Sequence, residues 1–291
     1  MVITAILFLT VFGHSAFAEI VPSHVFQKAS ILERQLMKLR EFEKVTDVPK
    51  VPSVQVGKLP IHVFSKALEV RDKIIRLQQK YGLAVLPEKS IPLRKITPQD
   101  AFEVVDEMTS EMEKILTQKG ISINNTDVAF EEGKTPSNTY EKLWQDSYLL
   151  DALVGPIDPK LVYANVMVAK ADLKEIAEKL GKSMITGAEP EAGTLPHHSN
   201  IEGFRNLYRL AKLERKLGIP AARVADFPIG KIEPSDVYDT IKNISVELIR
   251  IKVKLGITTP SPSPVVIEGK TPSHILAELK NFGKTLDALA Q

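Results

Sequence analysis

The apolar positions of this chain fall in long stretches whose spacing alternates between four and three. Val237, Ile241, Ile244, Leu248, Ile251 and Leu255 form one such series, and Val63, Ala67, Val70, Ile74, Leu77 and Tyr81 form another. This spacing lines up side chains on one stripe of an α-helix, the stripe that faces a bundle seam. Counted from the proline that opens each stretch, the apolar residues sit at offsets of 3, 7, 10, 14, 17 and 21, and the stretches after Pro22, Pro98, Pro159 and Pro272 follow with small exceptions. Period-two runs long enough to build a sheet are missing from the sequence.

The opening prolines themselves recur. They stand at Pro22, Pro60, Pro98 and Pro136, then at Pro159, Pro196, Pro234 and Pro272, so the step is 37 or 38 residues within each set. A constant offset of 136 superposes Pro60 on Pro196, Gly82 on Gly218, Asp100 on Asp236, Glu111 on Glu247, and Leu150-Asp151-Ala152-Leu153 on Leu286-Asp287-Ala288-Leu289. The pattern predicts an all-α protein of eight amphipathic helices built from ~38-residue units, arranged as two tandem duplicated four-helix bundles with long ordered connectors. The first block is residues 19–155 and the second 156–291, joined at Gly155-Pro156-Ile157-Asp158.

Each unit carries its own start and stop. In Thr97-Pro98-Gln99-Asp100 the threonine suits an N-cap, the proline the first helical position, and the aspartate can reach back to the cap amide. Lys80-Tyr81-Gly82, Lys119-Gly120, Lys179-Leu180-Gly181, Lys216-Leu217-Gly218 and Lys254-Leu255-Gly256 set a cation in the last turn and a glycine beyond it, suiting the helix dipole and a left-handed cap. The connectors are long. Gly82 and Pro98, or Gly256 and Pro272, are 16 positions apart, and at ~3.3 Å per residue such a segment spans about 50 Å, more than a whole helix. That reach permits parallel helices; the ordinary antiparallel bundle with long capping loops is the arrangement expected here.

Composition narrows the function. With 44% hydrophobic and 25% charged residues the chain is globular in character, and a net charge of +2 from 38 basic and 36 acidic residues, without a polybasic run, argues against a nucleic-acid partner. Cysteine is absent, which removes disulfides and thiolate chemistry. Val2 to Phe12 is almost wholly apolar and Ala16-Phe17-Ala18 is an A-x-A site, so residues 1–18 read as a secretory signal peptide and the mature protein as periplasmic or secreted, with no membrane span.

Candidate chemistry is sparse. Gly133-Lys134-Thr135-Pro136-Ser137 returns as Gly269-Lys270-Thr271-Pro272-Ser273, but a phosphate loop needs a glycine where Val128 and Pro264 stand, so the motif marks helix starts. His24, His62, His198 and His274 lie two residues after an opening proline, where Asp100 and Asp236 lie in other units. Capping is the ordinary role of that position. Convergence of helix ends would instead gather His24, His62 and Asp100, or His198, Asp236 and His274, into a metal or haem site. Tyr140, Trp144 and Tyr148 form an aromatic stripe that the second half replaces with Leu276, Lys280 and Lys284, which points to packing between the two blocks or to a ligand or partner platform. Ser199, Gly203 and Asn206 interrupt the seam of their helix, and Asp146 stands where Phe282 stands in the other half; these imply local repacking, or a pocket of Asp146, Ser199 and Asn206 beside the stripe.

No residue set has the arrangement of a catalytic centre. The sequence reads as an exported helical-repeat binding or scaffold protein, its partner another protein, with a carrier or sensor of a small ligand, metal or haem as the alternative. Mass spectrometry of the protein secreted by its source cells is expected to find Glu19 as the first residue; a chain retaining Met1 would refute the leader.

Overall fold

A computed structural model describes residues 19–291 apart from 126 and 222; the leader expected at 1–18 lies outside the described residues. Among the described residues there are eight helices: α1 Pro22–Phe42, α2 Pro60–Lys80, α3 Pro98–Gln118, α4 Pro136–Val154, α5 Pro159–Lys179, α6 Pro196–Lys216, α7 Pro234–Leu255 and α8 Pro272–Ala290. They show no strand and no helix long and apolar enough to cross a membrane. The all-α repeat read from the spacing is thus present, with every helix opening on its proline.

Local chemistry fixes the helix ends. At α3 the Thr97 hydroxyl accepts from the Asp100 amide at 3.4 Å while Asp100 Oδ2 accepts from the Thr97 amide at 2.8 Å. At the far ends of α2, α3, α6 and α7 a glycine with φ near +70° lets the next amide reach back, as in Leu83 N to Gln78 O at 2.9 Å and Ile121 N to Leu116 O at 2.9 Å. This is the Schellman closure, and its apolar residue after the glycine tucks back over the last turn.

The antiparallel expectation is wrong: all four helices of each block run parallel. Pro22, Pro60, Pro98 and Pro136 meet at one end of the first block, and Pro159, Pro196, Pro234 and Pro272 at one end of the second. At the opposite end of the first block Glu43 receives the Tyr81 hydroxyl at 2.9 Å and the Lys119 ammonium at 3.2 Å, so the ends of α1, α2 and α3 also meet. Around the first block the order is α1, α3, α2, α4, and around the second α5, α7, α6, α8, which sets α1 opposite α2, α3 opposite α4, α5 opposite α6 and α7 opposite α8. The connectors make this possible because each is long enough to return the chain along the outside of the bundle.

One hydrophobic core lies inside each block. Leu36, Ile74, Met108 and Leu150 are wholly buried in the first, and Leu173, Leu210, Ile244 and Leu286 in the second. Small residues set some spacings: a Cβ at Gly203 would lie 2.7 Å from Thr240 Cγ2, so α6 approaches α7 only because the position is bare. The seam interruptions in α6 are local repacking of this kind, with Asn206 Nδ2 donating to Leu279 O at 2.9 Å and Ser199 Oγ to Pro272 O at 3.2 Å.

The end of α1 departs from the glycine rule. Lys44 adopts φ of 56° and Val45 N reaches Arg40 O at 2.9 Å, so a side-chain-bearing residue occupies the left-handed position. The Lys44→Gly variant is expected to gain about 0.5–1 kcal/mol of stability in urea unfolding, since glycine takes this conformation without steric cost. A loss of stability would show that the lysine side chain carries a compensating contact.

Candidate functional site

The two blocks meet along α2 and α7. His62 near the start of α2 pairs with Glu247 in the second half of α7, and Asp72 further along α2 accepts from the Tyr238 hydroxyl at 3.1 Å near the start of α7, so the two helices run antiparallel. Each therefore has two buried faces. One carries the seam of its own bundle; the other mixes apolar residues such as Phe64, Leu68, Val246 and Ile249 with buried charge.

The charge forms a network. Lys66 pairs with Glu69, lies 3.6 Å from Asp239 Oδ2, and holds its ammonium 5.0 Å from the Trp144 ring centroid. Ser147 Oγ donates to Glu69 Oε1 at 2.6 Å and accepts from Lys73 Nζ at 2.6 Å, which also reaches Asp151 Oδ1 at 2.6 Å. Burial favours the neutral form of Glu69, yet the two lysines outweigh it and bring the carboxyl down to about 2. Asp239 goes the other way: burial, and then the charge of Glu69, push its carboxyl well above the ordinary range. Two adjacent acids thus share the field of two lysines and are shifted in opposite directions.

His62 joins the blocks at one end of this network. Its Nδ1 accepts from the Leu59 amide at 2.9 Å, which leaves the proton on Nε2, 2.8 Å from Glu247 Oε1. Arg250 binds the same carboxylate and donates to Glu214 at 2.7 Å. Although burial raises Glu247, these partners, His62 foremost, hold it at about 2.

The aromatic stripe is buried in the junction. Tyr140 and Trp144 stand edge to face at 5.9 Å, and the Tyr140 hydroxyl donates to Asn243 Oδ1 of α7 at 2.8 Å. Tyr148, 5% exposed, completes the stripe. The stripe thus lies between the blocks. The other grouped residues are dispersed. Asp146 is wholly buried in the first block with neither carboxyl oxygen hydrogen-bonded, and burial followed by the charge of Glu33 pushes it well above the carboxylate range. Ser199 and Asn206 bond α8 in the second block, whereas the charges nearest Asp146 are Glu33 and Lys142 of the first, so the pocket of Asp146, Ser199 and Asn206 does not form.

The metal or haem grouping is likewise not assembled. Helix starts do converge, but the third-position side chains turn back onto their own helices. The amides of Val21, Leu195 and Thr271 donate to Nδ1 of His24, His198 and His274 at 3.1, 3.0 and 3.3 Å, and that of Glu233 to Asp236 Oδ2 at 2.7 Å. Asp100 is held by Arg94 as well as by Thr97. Among the described residues no group of three or more His, Asp or Glu could hold a metal ion. What sequence reasoning missed is the network of Lys66, Glu69, Lys73 and Asp239, whose polar letters on a helix read as a solvated face.

Two variants separate the roles of the paired acids. Glu69→Gln leaves Lys66 and Lys73 without their shared anion and is expected to cost about 3–5 kcal/mol. Asp239→Asn removes a carboxyl that holds its proton more tightly in the folded chain than in the unfolded one. Because its folded pKa is raised, the native state holds more protons than the unfolded state above the ordinary aspartate range, so wild-type stability falls as pH rises there. The variant is expected to unfold at a higher temperature than wild type at pH 8 and to lose that advantage near pH 4; equal melting at both pH values would refute the upward shift of Asp239. Comparison of the chain with protein-family models, with curated proteins and with solved structures returns no match.

Proposed function

We propose that the protein is an exported helical-repeat scaffold that works by holding another protein, without catalysis of its own. The observation that carries the reading is the connector between α1 and α2. Val48, Val51 and Val54 are 91%, 83% and 73% exposed, while Pro52 and Gln55, also three apart, are buried. A three-residue period with Pro49 and Pro52 is that of a polyproline-type segment, which turns one edge to the protein and the other to solvent.

The segment is tied down along its length. Arg40 reaches Asp47 at 2.9 Å, Lys50 reaches Asp236 at 2.7 Å, Gln55 N donates to Glu141, and the Lys58 amide donates to Ser137 Oγ at 3.0 Å. A preordered apolar edge loses little entropy on binding, and such edges suit aromatic-lined grooves on partner proteins. Lys66, Glu69 and Lys73, and His62 with Glu247, are by contrast engaged with one another inside the fold, which supports a structural role for them. The leader-like residues 1–18 support export.

Replacing Val48, Val51 and Val54 together by Asp is expected to leave thermal unfolding unchanged, because none of the three packs on the core. Immobilised residues 19–291 are expected to retain a defined protein from the exported fraction of the source cells, and the triple variant to lose it by about tenfold or more. Equal retention by both chains, or retention by neither, would overturn the proposal.

A further inference from the structure

A second connector lies beside the one just described. Lys50 Nζ reaches Lys231 O at 3.2 Å, and Gly57 packs against Arg223, so the α1–α2 and α6–α7 connectors run side by side in opposite directions over the junction. Beneath them is a cavity of about 40 Å³, room for a few water-sized groups. Its helical walls are α4, α6 and α7.

The lining is divided by charge and by satisfaction. From the connectors come Lys58 and Arg223, neither of which makes an ion pair among the described residues; Lys58 Nζ rests 4.6 Å from the Tyr140 ring centroid. Trp144 adds a buried indole N–H with no acceptor. From α7 come Asp236 Oδ1 and both carboxyl oxygens of Asp239, buried and without hydrogen-bond partners, in residues only 4% and 3% exposed. Phe204, Leu207 and Val224 supply apolar wall. Donors and carboxyl oxygens therefore line one small space, and the buried ones, the Trp144 N–H and the Asp236 and Asp239 oxygens, cost free energy while unpaired.

We propose that this cavity binds a small zwitterion of the α-amino-acid class with a short aliphatic side chain, its carboxylate on Lys58, Arg223 and the Trp144 N–H, its ammonium on Asp236 and Asp239. An anion alone would leave the α7 acids unpaired, and a cation alone would leave the connector side unpaired. The zwitterion answers both with no net charge brought into a buried site. The unpaired state agrees with this: burial, together with the nearby Lys66 charge and against that of Glu247, depresses Lys58 to about 8, and a bound carboxylate would restore it. The inference stands apart from the valine edge, which faces solvent.

Trp144 is the one tryptophan in the chain, so its emission reports this cavity alone. Residues 19–291 are titrated with glycine, alanine, acetate and methylammonium, following fluorescence and heat. Saturable binding of alanine or glycine is expected, at least tenfold tighter than acetate or methylammonium, and weakened at least tenfold by Lys58→Met and by Asp239→Asn. Thermal unfolding of both variants checks that they are folded; Lys58→Met, on a connector, keeps the test available if Asp239→Asn is perturbed. No saturable response to either amino acid up to about 10 mM, the weak end of specific affinity, would overturn the proposal. So would acetate or methylammonium binding as tightly as the zwitterions, or binding unchanged in folded Lys58→Met.

Discussion

Four helices joined in sequence can all point the same way only if the chain travels back outside them after each one. The 16-residue steps from Gly82 to Pro98 and from Gly256 to Pro272 provide that return, and the remaining architecture follows from it. Parallel helices bring four positive dipole ends together, an unfavourable alignment whose partial charges are about half an electron each. The third-position acceptors His24, His62, Asp100 and Asn138 each bind a cap amide at that end of the first block. Between blocks the alignment reverses, since α2 and α7 are antiparallel and the dipoles of the two touching helices oppose. The repeated proline, the acceptor after it and the closing glycine are thus parts of one solution.

Duplication poses a second problem, because helices of one block resemble those of the other and could exchange. A pair of seam-flanking charges opposes this. Glu33 of α1 binds Lys142 of α4 at 2.9 Å, and at the equivalent positions Lys170 of α5 binds Glu278 of α8 at 2.7 Å, with the signs reversed. Exchange of α4 with α8 would set Glu33 against Glu278 and Lys142 against Lys170. These pairs are partly exposed, so each adds little stability. Their reversed order discriminates between right and wrong partners, which is where like-charge contacts have most effect. The junction charges differ in kind: Lys66, Glu69 and Lys73 are buried, and removing one member costs more than the assembled pair contributes.

Much of the fold is written locally. Helix starts were legible because Pro at the first position acts within a single turn with an acceptor two residues later, or in α5 with Asp158 before it, and the ends of α2, α3, α6 and α7 because glycine takes φ near +70° without strain. Helix direction was not legible, since it depends on the path of connectors whose contacts lie far away in sequence. The junction was half legible. Tyr140, Trp144 and Tyr148 drew attention because the other half lacks them, and they do pack between the blocks. Lys66, Glu69, Lys73 and Asp239 did not, because a charged residue on a helix has the same letter whether water or another helix covers it. The remaining signal was a second apolar stripe, Ile61, Phe64 and Leu68 on α2 and Val246 and Ile249 on α7, off the main seam and buried in the structure. The imidazole of His62 does two jobs that one position could not announce, since Nδ1 caps its own helix and Nε2 crosses to Glu247.

The parallel order of helices is the claim on which the rest stands, and the lack of cysteine makes it directly measurable by paired spin labels. Glu41 and Gln118 are exposed residues in the last turns of the neighbouring helices α1 and α3, and Gln99 is exposed in the first turn of α3. Labels at 41 and 118 are expected at about 20 Å or less, and labels at 41 and 99 at about 30 Å or more, given ~1.5 Å of rise per residue. The reverse, with 41 close to 99 and far from 118, would mean that α1 and α3 are antiparallel and would contradict the returning connectors together with everything built on them.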